Sequence, residues 1–525
     1  MARNTAIFSI LTGLSRIAGL VREIVASSYF ATSGAFSAFT IAFQVPNVVR
    51  SLFADAALSA AFVPVFTELL EHKRRQEAFR LASTLLLLIV TVLGAITVLF
   101  VAAAGIVVPL FVGDRLAPFE DLTVGLSRVL FPVVLILGLN GLLVGILNAY
   151  DHFSIPALSP LVWNAVIIAF LVASHQVLDG NDELYGYAVG VLAGTAVQLA
   201  MAAPVLRRLG FRFTFTGALG ELGDPRVRRV LALMLPVTIG LGLINLNLLV
   251  NSVLGGLVSD AAPRAIDAAF RIYMLPQGIF SVAIATVLFP ALSRLAARRD
   301  LDALRGLVGN GMRQVLLLLV PAAAATLALA TPITRLIYEH GAFGPDSTEL
   351  VAEALLWFSF SLPTSGVNLL LTRTFFSLQR PWITTAIASL NLAVNAGVSI
   401  ALYEPFGIAG IVVGTAAGSL AMTLGQAHFL RRELGGRLEA RETLIALAGM
   451  LGAAAVLAGV AYAVWWGFDE LLGRGLAAQV VSVCGGLAVG GAAYVGLVLA
   501  MRIPEAQQIL RLVAGRLRRS DERRP

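Results

Sequence analysis

Residues 81–111 read LASTLLLLIVTVLGAITVLFVAAAGIVVPLF, a run that contains no charged side chain. A helix needs about 20 predominantly apolar residues to cross the hydrocarbon core of a bilayer. This run therefore predicts a membrane-spanning helix, and it decides the class of the fold.

The composition of the whole chain agrees with this stretch. Of its 525 residues, 58% are hydrophobic and only 13% are charged. Soluble globular proteins carry about 25% charged residues. The net charge of +7 is not in itself evidence for nucleic-acid binding, because the positions of the charges decide what they attract.

Comparable apolar runs recur along the chain and predict an all-α polytopic membrane protein with about 14 transmembrane helices. The runs lie near 5–30, 35–68, 81–111, 126–149, 157–176, 184–205, 226–257, 264–293, 311–337, 347–374, 382–403, 407–430, 443–467 and 474–501.

The loops between these runs alternate in charge, and cytoplasmic loops of membrane proteins collect Lys and Arg. Basic loops follow the even-numbered runs, for example Lys73 to Arg80 after the second and Arg294 to Arg305 after the eighth. Loops after odd-numbered runs are acidic or nearly neutral, as around Asp179 and Glu183. The alternation predicts that both termini are cytoplasmic.

An internal repeat divides the chain into two halves. Residues 38–47 read AFTIAFQVPN, and residues 269–277 read AFRIYMLPQ, about 230 residues and six runs later. An even number of spans preserves orientation, so the halves are expected to be two parallel six-helix lobes around a central cavity, the geometry of alternating access. Chance similarity between apolar, proline-containing helices is the alternative.

The expected domains are an N-lobe over 1–215, a C-lobe over 216–440, two C-terminal helices over 441–503 and a basic cytoplasmic tail over 504–525.

Several arginines interrupt apolar runs, among them Arg16, Arg22, Arg50 and Arg271. A charged side chain at the bilayer centre costs at least ~2.5–3.5 kcal/mol, so it must face a cavity or a partner. Guanidinium groups bind phosphate oxygens in a bidentate manner and remain charged at physiological pH. The pattern favours an anionic substrate in a wet cavity.

Structural explanations for the same residues stay open. Arg22 with Glu23, or Arg50 with Asp55, can form internal ion pairs, although adjacent helix residues and i,i+5 pairs are not favoured spacings. The sequence contains no phosphate-binding glycine loop and no acidic pair that suits a magnesium-bound substrate. We therefore expect a transporter with no catalytic residue, no metal and no cofactor.

Residues 15–23 read SRIAGLVRE, and residues 42–50 read AFQVPNVVR. Both segments are similar to motifs of the MurJ/MviN family of lipid II flippases, within the MOP exporter superfamily. Softer similarity continues through Leu52–Asp55, Ala61–Phe66, Phe153–Ala157, Leu275–Gly278 and Glu339–Phe343, and it covers about residues 5–500.

The resemblance implies a cation-lined cavity between two lobes, a groove for the lipid tail formed by the last two helices, and no enzymatic activity. Implied substrate-binding residues are Arg16, Arg22, Arg50, Arg271, Ser15 and Asn47. Implied conformational or gating residues are Pro46, Glu23, Asp55 and Pro276.

Three positions depart from the family pattern. Ser37 and Phe270 stand where the family usually has aspartate, and Asp55 replaces the commoner glutamate. The loss of two acids leaves the cavity more positive, which favours anion binding but removes partners that reset the arginines between states.

The expected function is translocation of lipid II, the undecaprenyl-pyrophosphate-linked peptidoglycan precursor, from the cytoplasmic to the periplasmic leaflet of the bacterial cytoplasmic (inner) membrane. Expected partners are this or a related polyprenyl-pyrophosphate lipid, the membrane itself and cell-wall synthesis proteins, with no nucleic acid. Two alternatives remain: export of another polyprenyl-pyrophosphate saccharide, and a non-transporting membrane scaffold of the same fold. An integral-membrane glycosyltransferase is disfavoured, because no loop carries clustered acids or a histidine placed for catalysis.

Overall fold

The computed structural model describes residues 2–53, 56–150, 152, 154–214, 223–436 and 438–508. This part of the chain is helical and contains no strand. Its α-helices are α1 Ala2–Phe30, α2 Gly34–Phe53, α3 Ala56–Glu71, α4 Arg75–Val107, α5 Glu120–Leu130, α6 Val133–Ala149, α7 Ser154–Val177, α8 Asp182–Arg208, α9 Pro225–Val258, α10 Ala262–Pro276, α11 Val282–Arg298, α12 Leu301–Ala328, α13 Ala330–Tyr338, α14 Pro345–Ser359, α15 Leu362–Ser377, α16 Pro381–Glu433, α17 Ala440–Leu472 and α18 Leu476–Ala500.

The helices have the length and the surface of membrane spans. Within the described residues, ten are long and apolar enough to cross a bilayer, or eleven when the bent pair α14 and α15 counts as one span. On α4, Val98, Leu99 and Ile106 are 68–77% exposed, as expected for side chains that face lipid. The predicted fold class, an all-α polytopic membrane protein, is confirmed. Each of the fourteen predicted runs coincides with a helix or helix pair, and the number of crossings stays a prediction.

The chain packs as two units. The first comprises residues 1–264 with 340–344, and the second comprises 265–339 with 345–525. This division reflects how the helices pack, and it does not test the boundaries that the internal repeat predicts. The two lobes, the two-helix segment and the basic tail therefore remain predictions. Most of that tail lies outside the described residues.

The first unit has two large apolar clusters. One packs α3, α4, α6 and α8 around Phe62, Phe66 and Phe211. The other packs α1, α2, α5, α7 and α8 around Phe36, Phe39 and Tyr187, with the rings of Phe39 and Tyr187 stacked at 4.3 Å. The second cluster matters for function because polar side chains of α1 lie beside it.

In the second unit, α12 packs against α11, α15 and α17, and α17 forms an antiparallel pair with α18. Glycines allow that pair to approach closely, since a β-carbon at Gly490 would lie 3.0 Å from the Leu457 carbonyl oxygen. Arg313 of α12 bonds Glu439, just before α17, and Glu505, just after α18. One cation therefore links the start of α17 to the segment after α18, at the same end of this antiparallel pair.

The long helical run α16 is two helices rather than one. Gly407 has φ 55° and ψ −130°, a conformation that interrupts the helix and that only glycine adopts readily. The two parts then pack side by side through Gly410, Gly414 and Gly418, because β-carbons there would meet the backbone of residues 402, 395 and 391. This small-residue spacing is typical of close helix contacts in membranes. It agrees with the two separate predicted runs 382–403 and 407–430.

The proline-containing helices differ in how they end. Helix α2 continues through Pro46, whereas α10 ends at Pro276 and passes into a π-helical turn over Gln277–Ser281 before α11. Proline removes a backbone donor and widens the turn, which explains the change of helix type at that point.

Candidate functional site

The first unit buries a cluster of three charged residues, which we call the Glu23 cluster: Arg22 and Glu23 of α1 and Arg264 at the start of α10. The three residues are 7%, 3% and 1% exposed. Charged side chains are almost never this buried unless they are paired, so we examined which groups contact each of the three.

Arg22 is held between a carboxylate and an aromatic ring. Its Nη2 atom lies 3.6 Å from Glu23 Oε2, and its guanidinium carbon lies 4.9 Å from the centre of the Trp163 ring on α7. The indole N–H of Trp163 donates to the hydroxyl of Thr195 on α8, which fixes the ring. A cation over an aromatic face is attracted by the ring quadrupole, so Trp163 stabilises Arg22 without adding a negative charge.

Arg264 approaches the same carboxylate from the start of α10. Its Nη1 atom donates to Glu23 Oε1 at 3.1 Å, and its Nη2 atom donates to the Ser27 hydroxyl at 2.8 Å. The guanidinium also lies 4.2 Å from the centre of the Phe36 ring. Glu23 and Ser27 are one helical turn apart, so the planar fork of a single arginine reaches both.

Ser37 contributes a third polar group near Arg264. Its hydroxyl accepts from the Arg264 backbone N–H at 3.3 Å, and the residue is fully buried. The family resemblance places aspartate at this position, and here the neutral hydroxyl leaves the local charge unchanged. Arg22, Arg264 and Glu23 together carry two positive charges and one negative charge. Charges in a low-dielectric interior interact more strongly than charges in water.

The other predicted residues of α1 and α2 have different surroundings. Arg16 is exposed and Ser15 is half-buried, and Arg16 lies about 9 Å along the helix from Arg22 and on another face. Asn47 is half-buried and Pro46 is buried within α2. The structure therefore does not bring Arg16 into the Glu23 cluster.

Two predicted residues cannot be located in the same detail. Arg50 lies on α2, with its side chain outside the description, and Asp55 lies outside the described residues. Their predicted roles in substrate binding and gating stay predictions.

Arg271 belongs to the second unit and has a carboxylate partner on its own helix. Its Nε atom donates to Asp267 Oδ2 at 2.8 Å, and its side chain is 33% exposed. Pro276 follows in the same helix and marks its end. The side chain of Phe270, the second departure from the family pattern, packs against the rings of Tyr273 and Phe358.

Sequence reasoning missed Arg264 and Asp267. The ion pair between Arg22 and Glu23, one of the structural explanations left open by the sequence, is present at 3.6 Å despite the unfavourable spacing of neighbouring helix residues. A signal for the missed residues existed. Arg264, Asp267 and Arg271 follow the i, i+3, i+7 spacing of one helix face in an otherwise apolar run.

Comparison with known proteins shows to which family the chain is similar. The family model described as "Lipid II flippase MurJ" matches residues 26–475. A "Probable lipid II flippase MurJ" of Rhizobium meliloti is 30% identical, covering 91% of this chain and 90% of that protein. A protein of the same description from Treponema pallidum is 29% identical, covering 82% of each chain.

Solved structures show the same fold. A structure described as lipid II flippase MurJ in an inward closed conformation has a TM-score of 0.77 at 21% identity, covering 94% of this chain and 99% of that one. An inward-facing MATE-family multidrug resistance transporter of the MOP superfamily has a TM-score of 0.67 at 14% identity, covering 81% of this chain and 94% of that one. The resemblance seen in SRIAGLVRE and AFQVPNVVR is confirmed, and the chain belongs to the MurJ family of lipid II flippases.

Proposed function

We propose that this protein is a flippase that moves lipid II from the cytoplasmic to the periplasmic leaflet of the bacterial inner membrane by alternating access, and that it catalyses no covalent step. Family membership and the names of its relatives support the cargo. The observation that carries the proposal is the Glu23 cluster, in which two buried arginines share one carboxylate.

The chemistry of the cluster suits a pyrophosphate. Each guanidinium offers parallel N–H donors that match two phosphate oxygens, and burial strengthens those bonds. Glu23 holds both arginines in place when no cargo is bound, and an arriving pyrophosphate competes with it. This competition favours release of the cargo, because the Glu23 carboxylate can again accept hydrogen bonds from the guanidinium groups.

The remaining predicted residues complete the proposed path. Arg16 lies nearer the predicted cytoplasmic entrance and is exposed, which suits a first contact with the headgroup. Ser15 is proposed to bind the cargo beside Arg16. Asn47, Arg50 and Arg271 are also proposed to bind it, with Pro46, Pro276 and Asp55 changing conformation between states. Cell-wall synthesis proteins are the proposed partners, because their reactions supply or consume this lipid.

The proposed function is tested by complementation of a strain depleted of its lipid II flippase. Wild type is compared with Arg22→Ala and Arg264→Ala, and with Arg229→Ala as the control, an exposed arginine 3.4 Å from Glu68 in the same unit. Growth, membrane abundance and lipid II accessibility at the outer leaflet are measured together.

We expect wild type and Arg229→Ala to restore growth and outer-leaflet lipid II, and the two cluster variants to fail at normal abundance. Restoration of growth by the cluster variants, with outer-leaflet lipid II at the wild-type level, would rule out a role of the cluster in transport. Growth without a rise in accessible lipid II would favour the scaffold alternative.

The proposed orientation, with both termini in the cytoplasm, has its own test. Fluorescent-protein and alkaline-phosphatase fusions are made at the C-terminus and after Asp179. We expect fluorescence only from the C-terminal fusion and phosphatase activity only from the fusion at Asp179. The reverse pattern would invert the proposed topology.

A further inference from the structure

Helices α11 and α12 of the second unit form the walls of an open cavity at the protein surface, and none of the residues proposed for transport lines it. Its volume is about 470 Å³. One face of each helix forms it, at i, i+3, i+4 and i+7 spacing: Ala291, Arg294, Leu295 and Arg298 from α11, and Ala303, Gly306, Leu307 and Asn310 from α12. The regular spacing means that two facing helix surfaces leave the space, rather than an irregular loop.

Small side chains create the room and apolar ones line it. Ala291, Ala303 and Gly306 project little or nothing into the gap, while Leu295 and Leu307 provide apolar walls. Gly306 has space in front of it, because a β-carbon there would meet no atom closer than 3.7 Å. A bound group can therefore place a hydrocarbon or glycerol portion against these walls.

Two arginines give the cavity its charge. Arg294 and Arg298 are one helical turn apart and exposed, and neither forms an ion pair with a carboxylate in the described parts of the chain. Two guanidinium groups at this spacing suit one phosphate diester, which accepts donors on both of its free oxygens.

The carboxylates nearby are engaged elsewhere. Asp300 caps α12 by accepting from the Ala303 N–H at 3.1 Å, and Asp302 lies 3.1 Å from Arg305. Glu439, whose carboxylate lies beside Gly306, bonds Arg313 at 2.8 Å. None of these acids cancels the charge of the arginines by direct pairing.

Asn310 adds a hydrogen-bond acceptor at the inner end. Its side-chain oxygen is buried, with no hydrogen-bond partner in the described residues. Buried polar atoms are nearly always satisfied, so this oxygen calls for a donor from a ligand or water. A hydroxyl group supplies such a donor, whereas a fully ionised phosphate ester does not.

We propose that this cavity binds the headgroup of an anionic phospholipid that carries hydroxyls, of which phosphatidylglycerol is the simplest. The phosphate lies on Arg294 and Arg298, the headgroup hydroxyl donates to Asn310, and the acyl chains remain in the bilayer. The predicted topology puts both arginines in a cytoplasmic loop, where basic pockets between helices meet anionic lipids. The proposal does not depend on lipid II being the cargo.

The test uses the full chain in detergent, with bound lipids counted by native mass spectrometry. Phosphatidylglycerol is titrated, and phosphatidylcholine, phosphatidic acid and soluble glycerol 3-phosphate serve as competitors. The double variant Arg294→Gln with Arg298→Gln is compared with Arg299→Gln plus Arg432→Gln, which removes two exposed charges outside the cavity.

We expect the cavity pair to lower the affinity for phosphatidylglycerol at least fivefold and the control pair to change it less than twofold. Equal losses in both pairs would overturn the proposal in favour of general surface charge. Equal competition by glycerol 3-phosphate would overturn the lipid assignment and leave a site for soluble phosphate esters.

Two single variants test the cavity without removing its charge. Ala303→Phe fills the space and should abolish saturable binding, while Asn310→Leu should remove the preference for phosphatidylglycerol over phosphatidic acid. Unchanged binding in Ala303→Phe would overturn the proposal. This variant keeps both arginines, so its result holds even if the arginine variants aggregate.

Discussion

The guanidinium of Arg264 and the carboxylate of Glu23 meet at 3.1 Å, although 241 residues separate them in the chain. Their side chains are 1% and 4% exposed, and the second oxygen of the carboxylate faces Arg22 at 3.6 Å. A carboxylate shared by two buried arginines stabilises the fold and also competes with any anionic cargo. The predictions below separate these two roles.

Glu23→Gln is expected to destabilise the protein by about 3–5 kcal/mol, because it removes the carboxylate that two buried arginines share. Arg264→Gln is expected to cost less, because Glu23 still faces Arg22 at 3.6 Å. The double variant should be less destabilised than the sum of the two single variants, because it deprives one buried arginine of Glu23 rather than two, with a coupling of about 1–3 kcal/mol. Thermal unfolding in detergent, followed by size-exclusion fluorescence, measures all three. Strict additivity would mean that the pair is not energetically coupled.

Ser37→Asp is expected to weaken binding of the pyrophosphate lipid by about tenfold, which corresponds to about 1.4 kcal/mol. The physical reason is that a carboxylate at this buried position lowers the positive charge available to the cargo. Lipid II binding is measured on the purified protein, with Ser37→Asn as the uncharged control. Tighter binding in Ser37→Asp would show that the lost acid positions the arginines rather than competing with the cargo.

Arg313→Gln is expected to destabilise the second unit by about 3–5 kcal/mol, because Glu505 is left buried without its cation. The matched control is Arg380→Gln, whose side chain is 60% exposed and lies 3.8 Å from Glu433. An exposed pair contributes about 0–1 kcal/mol, so the control should unfold close to wild type. Thermal unfolding distinguishes the two, and equal shifts would contradict the anchoring role of Arg313.

Gly414→Ala is expected to cost about 1–3 kcal/mol through overpacking. Its new β-carbon would lie 2.7 Å from the Asn395 carbonyl oxygen of the facing helix. Gly397→Ala, in the same helix pair, meets no atom within 4 Å and should be neutral or stabilising by up to about 1 kcal/mol. If both variants unfold at the wild-type temperature, the close contact between the two parts of α16 is not needed for stability.

Much of the fold was accessible from particular residues. The uncharged run 81–111 predicts α4, and the break between runs 382–403 and 407–430 agrees with the interruption of α16 at Gly407. Both follow from local physics, because lipid demands apolar helices of sufficient length and glycine alone adopts that backbone conformation readily. The family was likewise readable from residues 15–23 and 42–50.

The candidate site could be predicted only in part from the sequence. The sequence by itself determined that arginines interrupt membrane helices, and hence that the protein must pair or hydrate them. Only the tertiary structure decided which arginine joins Glu23: Arg264 reaches it from a distant helix, while Arg16 points to another face of α1. The physical reason is that helix periodicity fixes which residues share a face, whereas the partner of that face is chosen by how distant helices pack.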